Sequence, residues 1–337
     1  LTAPLFKEIH QNLKRGTVMK NKTSPYMSLN RIEFMVTYQC TGKCKHCSVA
    51  DKQGRAGLKC VNPGKAAEAV EKLCALFDIE SVMTFGGEPL LYPDTVCAIH
   101  EKAASCGVAS RQLITNGYFT KSPERRAETV SRLARSGVNQ VLISVDAFHQ
   151  ETIPWEDVRA FARAVRDAGI PNVRLHPAWV VDEANDNAWN AETRRLLTCY
   201  DDLALPVSSG NNIFMSGNAV TYLADFYEKP RLDLSQTCGA MPYTEPLTDI
   251  NCLSIEPNGD VAVCGFVIGN LNTASITDIV SRYDPYANDC MRAILTGGGA
   301  ALLEYAKRLG MAVDTSAYYS VCDLCRAVSG HIQELAE

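Results

Sequence analysis

Three cysteines, Cys40, Cys44 and Cys47, stand within eight residues in the run Gln39-Cys40-Thr41-Gly42-Lys43-Cys44-Lys45-His46-Cys47. At ~3.3–3.6 Å per residue, that run is short enough to wrap one small cofactor, and Gly42 permits the tight turn this needs. Thiolates suit iron–sulfur centres and zinc alike. The number of ligands separates the two. A structural zinc site closes with four ligands, whereas three cysteines on a four-iron cube leave one iron open. A second group lies near the C-terminus: Cys238, Cys252, Cys264, Cys290 and the pair in Cys322-Asp323-Leu324-Cys325. The Cys-x2-Cys spacing is one that metal centres favour. Cys252, Cys264, Cys322 and Cys325 together read as a closed four-thiolate site, a second 4Fe-4S cluster in preference to zinc.

The rest of the composition says which setting these thiols occupy. The chain has 337 residues, 46% of them apolar, and a net charge of −5. This length holds one α/β barrel or two ordinary domains. No basic block stands out, so a nucleic-acid partner is not expected. The first sixteen residues lack the apolar centre of a signal peptide. No run of about 18 apolar residues exists to span a membrane. A cytoplasmic location is therefore expected, where thiols stay reduced and clustered cysteines are metal ligands rather than disulfides. Cys60, Cys74, Cys97, Cys106, Cys199 and Cys290 read as ordinary small residues.

The elements that position the first cysteines alternate between two periods. Strand-like runs at 32–36, 81–85, 112–115, 141–145 and 173–180 alternate with helix-like runs at 63–77, 95–106, 125–135, 158–168 and 191–200. Repeated βα units imply a parallel sheet. Each strand runs straight into a distinctive loop: the cysteines, Gly86-Gly87-Glu88, Asn116-Gly117 and Asp146. In α/β barrels those strand ends share one rim, where chemistry sits. Further along, Leu253–Glu256 and Val261–Cys264 flank an Asn258-Gly259 turn, a β-hairpin signal. Gly297-Gly298-Gly299 reads as a helix junction rather than a phosphate cradle, since no Lys-Ser/Thr follows it.

Cys-x3-Cys-x2-Cys after the first strand of a βα series resembles the defining motif of the radical S-adenosylmethionine (SAM) superfamily. The resemblance implies a 4Fe-4S cluster on Cys40, Cys44 and Cys47 and SAM as cosubstrate. It puts His46 in the place of the aromatic that packs on adenine. Phe85-Gly86-Gly87-Glu88-Pro89 resembles the segment that receives the SAM amino group. Asn116, Ser144 and Asp146 fall in segments that in the family lie beside the ribose and carboxylate. Arg174 and His176 on the next strand either face the cavity or are buried with structural partners. The implied fold is α/β: a partial (β/α)6 TIM-type barrel with a small C-terminal β-hairpin plus helix domain. Its expected divisions are an N-terminal extension at 1–30, the barrel at 31–205 and an auxiliary iron–sulfur domain at 206–337.

The tail resembles the SPASM/Twitch extension of radical SAM maturases, through Gly259, Cys264, Gly265 and the distant Cys-x2-Cys. It departs from that pattern at the first cysteine. Cys252 is too close to Gly259, and Cys238 too far. Cys238 is left with three readings: a ligand in place of Cys252, a hydrogen-atom donor to a substrate radical, or a plain thiol. With one Cys-x2-Cys and no further cysteines behind it, one auxiliary cluster is expected, not two. The resemblance implies an enzyme that takes one electron from a flavodoxin- or ferredoxin-type donor. Its expected substrate is a ribosomally made peptide, to be epimerised or cross-linked, with a small molecule or a sulfatase-type protein as alternatives. The thirty residues before Arg31 are short for a separate leader-binding domain. A non-catalytic electron carrier or a zinc-binding interaction protein is the rival from another class.

Overall fold

The computed structural model describes residues 23–53, 59–239 and 244–336. Most of the expected N-terminal extension, residues 1–22, lies outside them. The first half of the chain is a series of βα units: β1 (Met27–Met35), α1 (Pro63–Leu76), β2 (Ser81–Phe85), α2 (Pro93–Ser105), β3 (Ser110–Thr115), α3 (Pro123–Arg135) and β4 (Gln140–Ser144). A short α4 (Ala147–Gln150) precedes α5 (Trp155–Asp167) and β5 (Asn172–His176). Prolines begin α1, α2 and α3, where a missing N–H costs nothing. Asn62 and Ser122 cap α1 and α3 through side-chain oxygens.

The expected strand over 173–180 is interrupted. Pro177 has no N–H to give to a ladder, so β5 stops at His176, and β6 (Ala178–Trp179) pairs instead with β7 (Asn211–Asn212) in a separate two-stranded sheet. Between β6 and β7 lies α6 (Ala188–Thr198), and after β7 comes α7 (Asn218–Tyr222). The hairpin follows as β8 (Ile250–Ile255) and β9 (Asp260–Val263), turning at Gly259 with φ 88°. β10 (Phe266–Asn270), α8 (Ile276–Ser281), α9 (Asp289–Arg308) and α10 (Val321–Ala336) complete the chain.

One sheet unites both halves, in the order β10-β9-β8-β1-β2-β3-β4-β5. β1 through β5 and the β8–β1 pair run parallel, while β8–β9 and β9–β10 are antiparallel. Side chains alternate across it. One face buries Ile32, Phe34, Val82, Leu113, Val141, Ile143 and Val173 in the main core. The opposite face carries Arg31, Glu33, Gln112 and Gln140, all partly exposed, and exposed Arg174. A closed barrel fills that interior with branched apolar residues; here polar side chains share it with Met83, Ile114 and Leu142. Gly298, at φ 63° and ψ −159°, kinks α9. A side chain there would lie 2.8 Å from the Gln236 carbonyl oxygen. The kink thus admits the strap 234–236 that leads into Cys238. Among the described residues no helix is long and apolar enough to cross a membrane.

Candidate active site

The cysteine loop begins where β1 ends, and the neighbouring strand holds its first residues by backbone. Gly87 N–H donates to the Thr37 carbonyl at 2.7 Å, and Glu88 N–H to the Gln39 carbonyl at 2.8 Å. This approach needs glycine: a Cβ on Gly87 would fall 2.1 Å from the Gln39 carbonyl oxygen, and Gly86 sits at φ 142°. The two glycines therefore make room for the entry to the cysteine loop.

Within the loop Cys44 is buried, and Cys40 and Cys47 are partly so. Nitrogen donors approach the sulfurs: Gly42 N (3.3 Å) and Asn116 Nδ2 (3.6 Å) on Cys40, and Gln53 Nε2 (3.7 Å) on Cys47. Burial pushes the Cys40 thiol up to about 11 and raises Cys47 as well. Binding metal there would release protons. Sulfurs ringed by N–H donors suit an iron–sulfur cluster, whose properties depend on such bonds. The His46 ring packs on Phe148 at 4.8 Å and His149 at 5.0 Å between centroids. Burial lowers it to about 4, and its buried Nδ1 has no hydrogen-bond partner among the described residues. An orphaned polar atom beside three thiols fits a site built for a further group.

Glu88, in the segment expected to receive the SAM amino group, points its side chain inward. Its side chain is fully buried. It accepts from Leu90 N at 2.8 Å, Thr115 Oγ1 at 2.7 Å and Asn116 N at 2.8 Å. Glu88 thus fixes the Asn116 turn, whose amide reaches Cys40 and Thr41. Burial, the largest influence, lifts Glu88 to about 7, against the three donors that pull it down. The folded chain keeps a proton that an unfolded carboxyl, near 4.5, has released. This contribution to stability is complete below the unfolded value and is lost as pH rises through the folded one. Glu88→Gln cannot titrate, and its amide N–H would face the Asn116 or Leu90 N–H. It is expected to be less stable, with a flatter change of urea midpoint between about pH 5 and 8. A variant profile parallel to the wild type would refute the assignment.

Ser144 is buried at the end of β4, in register with His176. Asp146, also fully buried, accepts from the backbone N–H groups of Phe148 (3.0 Å), His149 (2.9 Å) and Ala178 (3.2 Å), and from His149 Nδ1 at 2.8 Å. Burial alone would raise Asp146, but His149 holds it at about 2. Burial would lower His149, but Asp146 and Cys44 keep it well above its ordinary value. Arg174 is exposed on β5, in register with Leu142. The sequence reading missed His149. Its signal was the Asp146-x-x-His149 spacing at a strand end, which places both on one side of a helical turn. Thr152 Oγ1 accepts from Lys43 N at 3.1 Å, and Lys45 pairs with Glu151 at 2.6 Å, so α4 and its sequel brace the loop. From the other side, Asn218 gives its backbone N–H to the Cys47 carbonyl at 3.0 Å and its amide to that of Cys44 at 2.9 Å.

The C-terminal thiols regroup. Cys238, Cys264, Cys322 and Cys325 line one cavity, with Thr237 and Phe266. Cys322 and Cys325 lie one turn apart on α10. Cys252 is not brought there. By hairpin register it would face Cys264, but Cys264 leaves the ladder at φ 49° with Gly265 at 85°. Cys252 instead looks across to β1, beside Glu33, Arg31 and Glu245, and burial pushes its thiol up to about 12. Its place among the four is taken by Cys238, whose sulfur accepts from Leu247 N at 3.4 Å.

Residues 34–192 match the family model of the Radical SAM superfamily. Among curated proteins, the GTP 3',8-cyclase of Moorella thermoacetica is 24% identical over 159 residues, 44% of this chain and 46% of its own. A probable GTP 3',8-cyclase of Saccharolobus islandicus is 27% identical over 164 residues, 47% of this chain and 49% of its own. The chain thus spans about half the length of these relatives. Of solved structures, BtrN in complex with AdoMet and 2-DOIA aligns at TM-score 0.45 and 18% identity, over 80% of this chain and 88% of that one. A tagged anSMEcpe with bound AdoMet aligns at 0.47 and 11%, over 83% and 85%. The cysteine loop, the turn that Glu88 fixes and the parallel strands beneath them all lie inside the matched segment, and the chain carries a Radical SAM superfamily domain.

Proposed function

We propose that this chain reductively cleaves SAM and uses the resulting 5′-deoxyadenosyl radical to take a hydrogen atom from a small polar substrate. The observation that carries the reading is the loop after β1. It holds three thiols, N–H donors aimed at two of their sulfurs, and an orphaned His46 nitrogen beside them. Cys40, Cys44 and Cys47 would hold a 4Fe-4S cluster, which when bound and reduced supplies the electron that splits SAM. Asn116 and Gln53 orient two of the sulfurs, and the His46 ring stands where an adenine can stack. Arg31, Glu33, Gln112 and Gln140 on the open sheet face offer hydrogen bonds to a substrate. A flavodoxin- or ferredoxin-type donor would deliver the electron.

Cys238, Cys264, Cys322 and Cys325 would hold a second 4Fe-4S cluster, a closed four-thiolate site of the SPASM/Twitch kind. A small substrate is favoured over a peptide by the polar face and by the curated relatives, named for the nucleotide GTP. The four-cysteine tail favours the second reading, a peptide maturase that epimerises or cross-links its substrate. The anaerobically reconstituted chain, given SAM and dithionite, is expected to form 5′-deoxyadenosine and methionine in equal amounts. Absence of both sinks the reading. Stimulation of that reaction by the small-molecule fraction of a cell extract supports the first substrate class; stimulation by the peptide fraction alone supports the second.

A further inference from the structure

Asn116 falls in a segment expected beside the SAM ribose or carboxylate, yet its side chain is committed inside the protein. A carboxamide offers two N–H donors on one nitrogen and an acceptor oxygen. Asn116 Nδ2 lies 3.6 Å from the Cys40 sulfur and 3.1 Å from Thr41 Oγ1, so both donors have an acceptor. Its Oδ1 accepts from the Tyr118 backbone N–H at 2.8 Å. That bond decides which end of the amide faces the cysteine, because a flipped amide would set its nitrogen against an N–H. The residue is only 4% exposed, so water competes poorly for these bonds. The backbone beneath it is held as firmly. Asn116 N–H donates to Glu88 Oε2 at 2.8 Å, and Gly117 N–H to Thr115 Oγ1 at 2.9 Å. Gly117 turns the chain at φ 72°, where a Cβ would fall 2.8 Å from the Phe161 ring.

We propose that Asn116 is a positioning residue for the cluster rather than a SAM contact: its amide donates to the Cys40 sulfur and makes the cluster easier to reduce. Hydrogen bonds to cluster sulfurs set the potential by stabilising the more negative, reduced state. A carboxamide keeps its N–H groups at every pH, so the direction of this bond depends on no titration. Partners behind a ligand act by holding it in one orientation, and the Glu88 and Tyr118 bonds give Asn116 that rigidity. The proposal rests on the assignment of Cys40, Cys44 and Cys47 as cluster ligands, and the experiment separates the two.

The wild-type chain, Asn116→Ala and Thr41→Val are reconstituted anaerobically and their iron is measured. The cluster is titrated against potential by electron paramagnetic resonance, and labelled SAM is bound at equilibrium to the oxidised protein. Asn116→Ala is expected to reduce only at a more negative potential, with wild-type affinity for SAM. Thr41→Val, which removes the amide's other acceptor and leaves the bond to Cys40, is expected to match the wild type in both. Pulsed resonance of the reduced wild type, its asparagine side-chain nitrogens isotopically labelled, is expected to show a nitrogen coupling that Asn116→Ala lacks. A full cluster in Asn116→Ala at an unchanged potential overturns the proposal, as does an equal shift in Thr41→Val or a wild type without that coupling. So does a roughly tenfold loss of SAM affinity in Asn116→Ala, the mark of a lost hydrogen bond to a charged group. Should Asn116→Ala take up no cluster, the wild-type coupling decides: its presence supports the proposal and its absence overturns it. A wild type that assembles no four-iron cluster in this loop overturns the ligand assignment as well.

Discussion

Replacing Cys44 by alanine is expected to bring 5′-deoxyadenosine formation down to the level of a blank without protein. Cys44 is the innermost of the three thiols, at 6% exposure. The loop that carries it is held on both sides. Gly87 and Glu88 bond its entry, and Asn218 bonds the carbonyls of Cys44 and Cys47. Two thiols on a rigid loop leave two irons without protein ligands, and the cube is not retained. High-performance liquid chromatography of the reaction with SAM and dithionite measures the product. Undiminished cleavage in this variant would exclude the loop as the site of the chemistry. Thermal unfolding of the metal-free variant checks that the fold survives. Removing one buried sulfhydryl leaves only a small cavity, worth about 1 kcal/mol.

The second large effect separates two cysteines that sequence spacing does not. Cys238→Ala is expected to lower the iron content of the reconstituted chain from about eight atoms to about four, one cluster's worth. Cys252→Ala is expected to leave it unchanged. Cys238 shares a cavity with Cys264, Cys322 and Cys325, and removing one of four ligands opens a closed site. Cys252 stands among Glu33, Arg31 and Glu245. Iron and sulfide analysis with Mössbauer spectra reads the difference. Iron lost in Cys252→Ala and kept in Cys238→Ala would reverse the assignment, and zinc in place of iron would make the site structural.

Much of the site was already legible in local spacing. Cys40, Cys44 and Cys47 need only a short loop after a strand, and their spacing guarantees proximity in almost any fold of that segment. The βα alternation was equally plain, since apolar side chains at period two and at helical spacing mark strands and helices directly. Pro177 was the exception: a run that reads as one strand is cut by a single missing donor.

What the amino-acid sequence alone determined, then, is the three-cysteine loop and the parallel βα framework, because both depend on residues near one another in the chain. The tertiary structure decided everything that depends on direction. It turned Glu88 inward onto the Asn116 turn, brought His149 within 4.8 Å of Cys44 at their ligand atoms, and added the hairpin to the sheet beside β1. It also exchanged Cys252 for Cys238, because one left-handed residue at Cys264 swings that sulfur out of the hairpin's register. Spacing says how far a side chain can reach. Only backbone torsions and packing against distant segments say where it points.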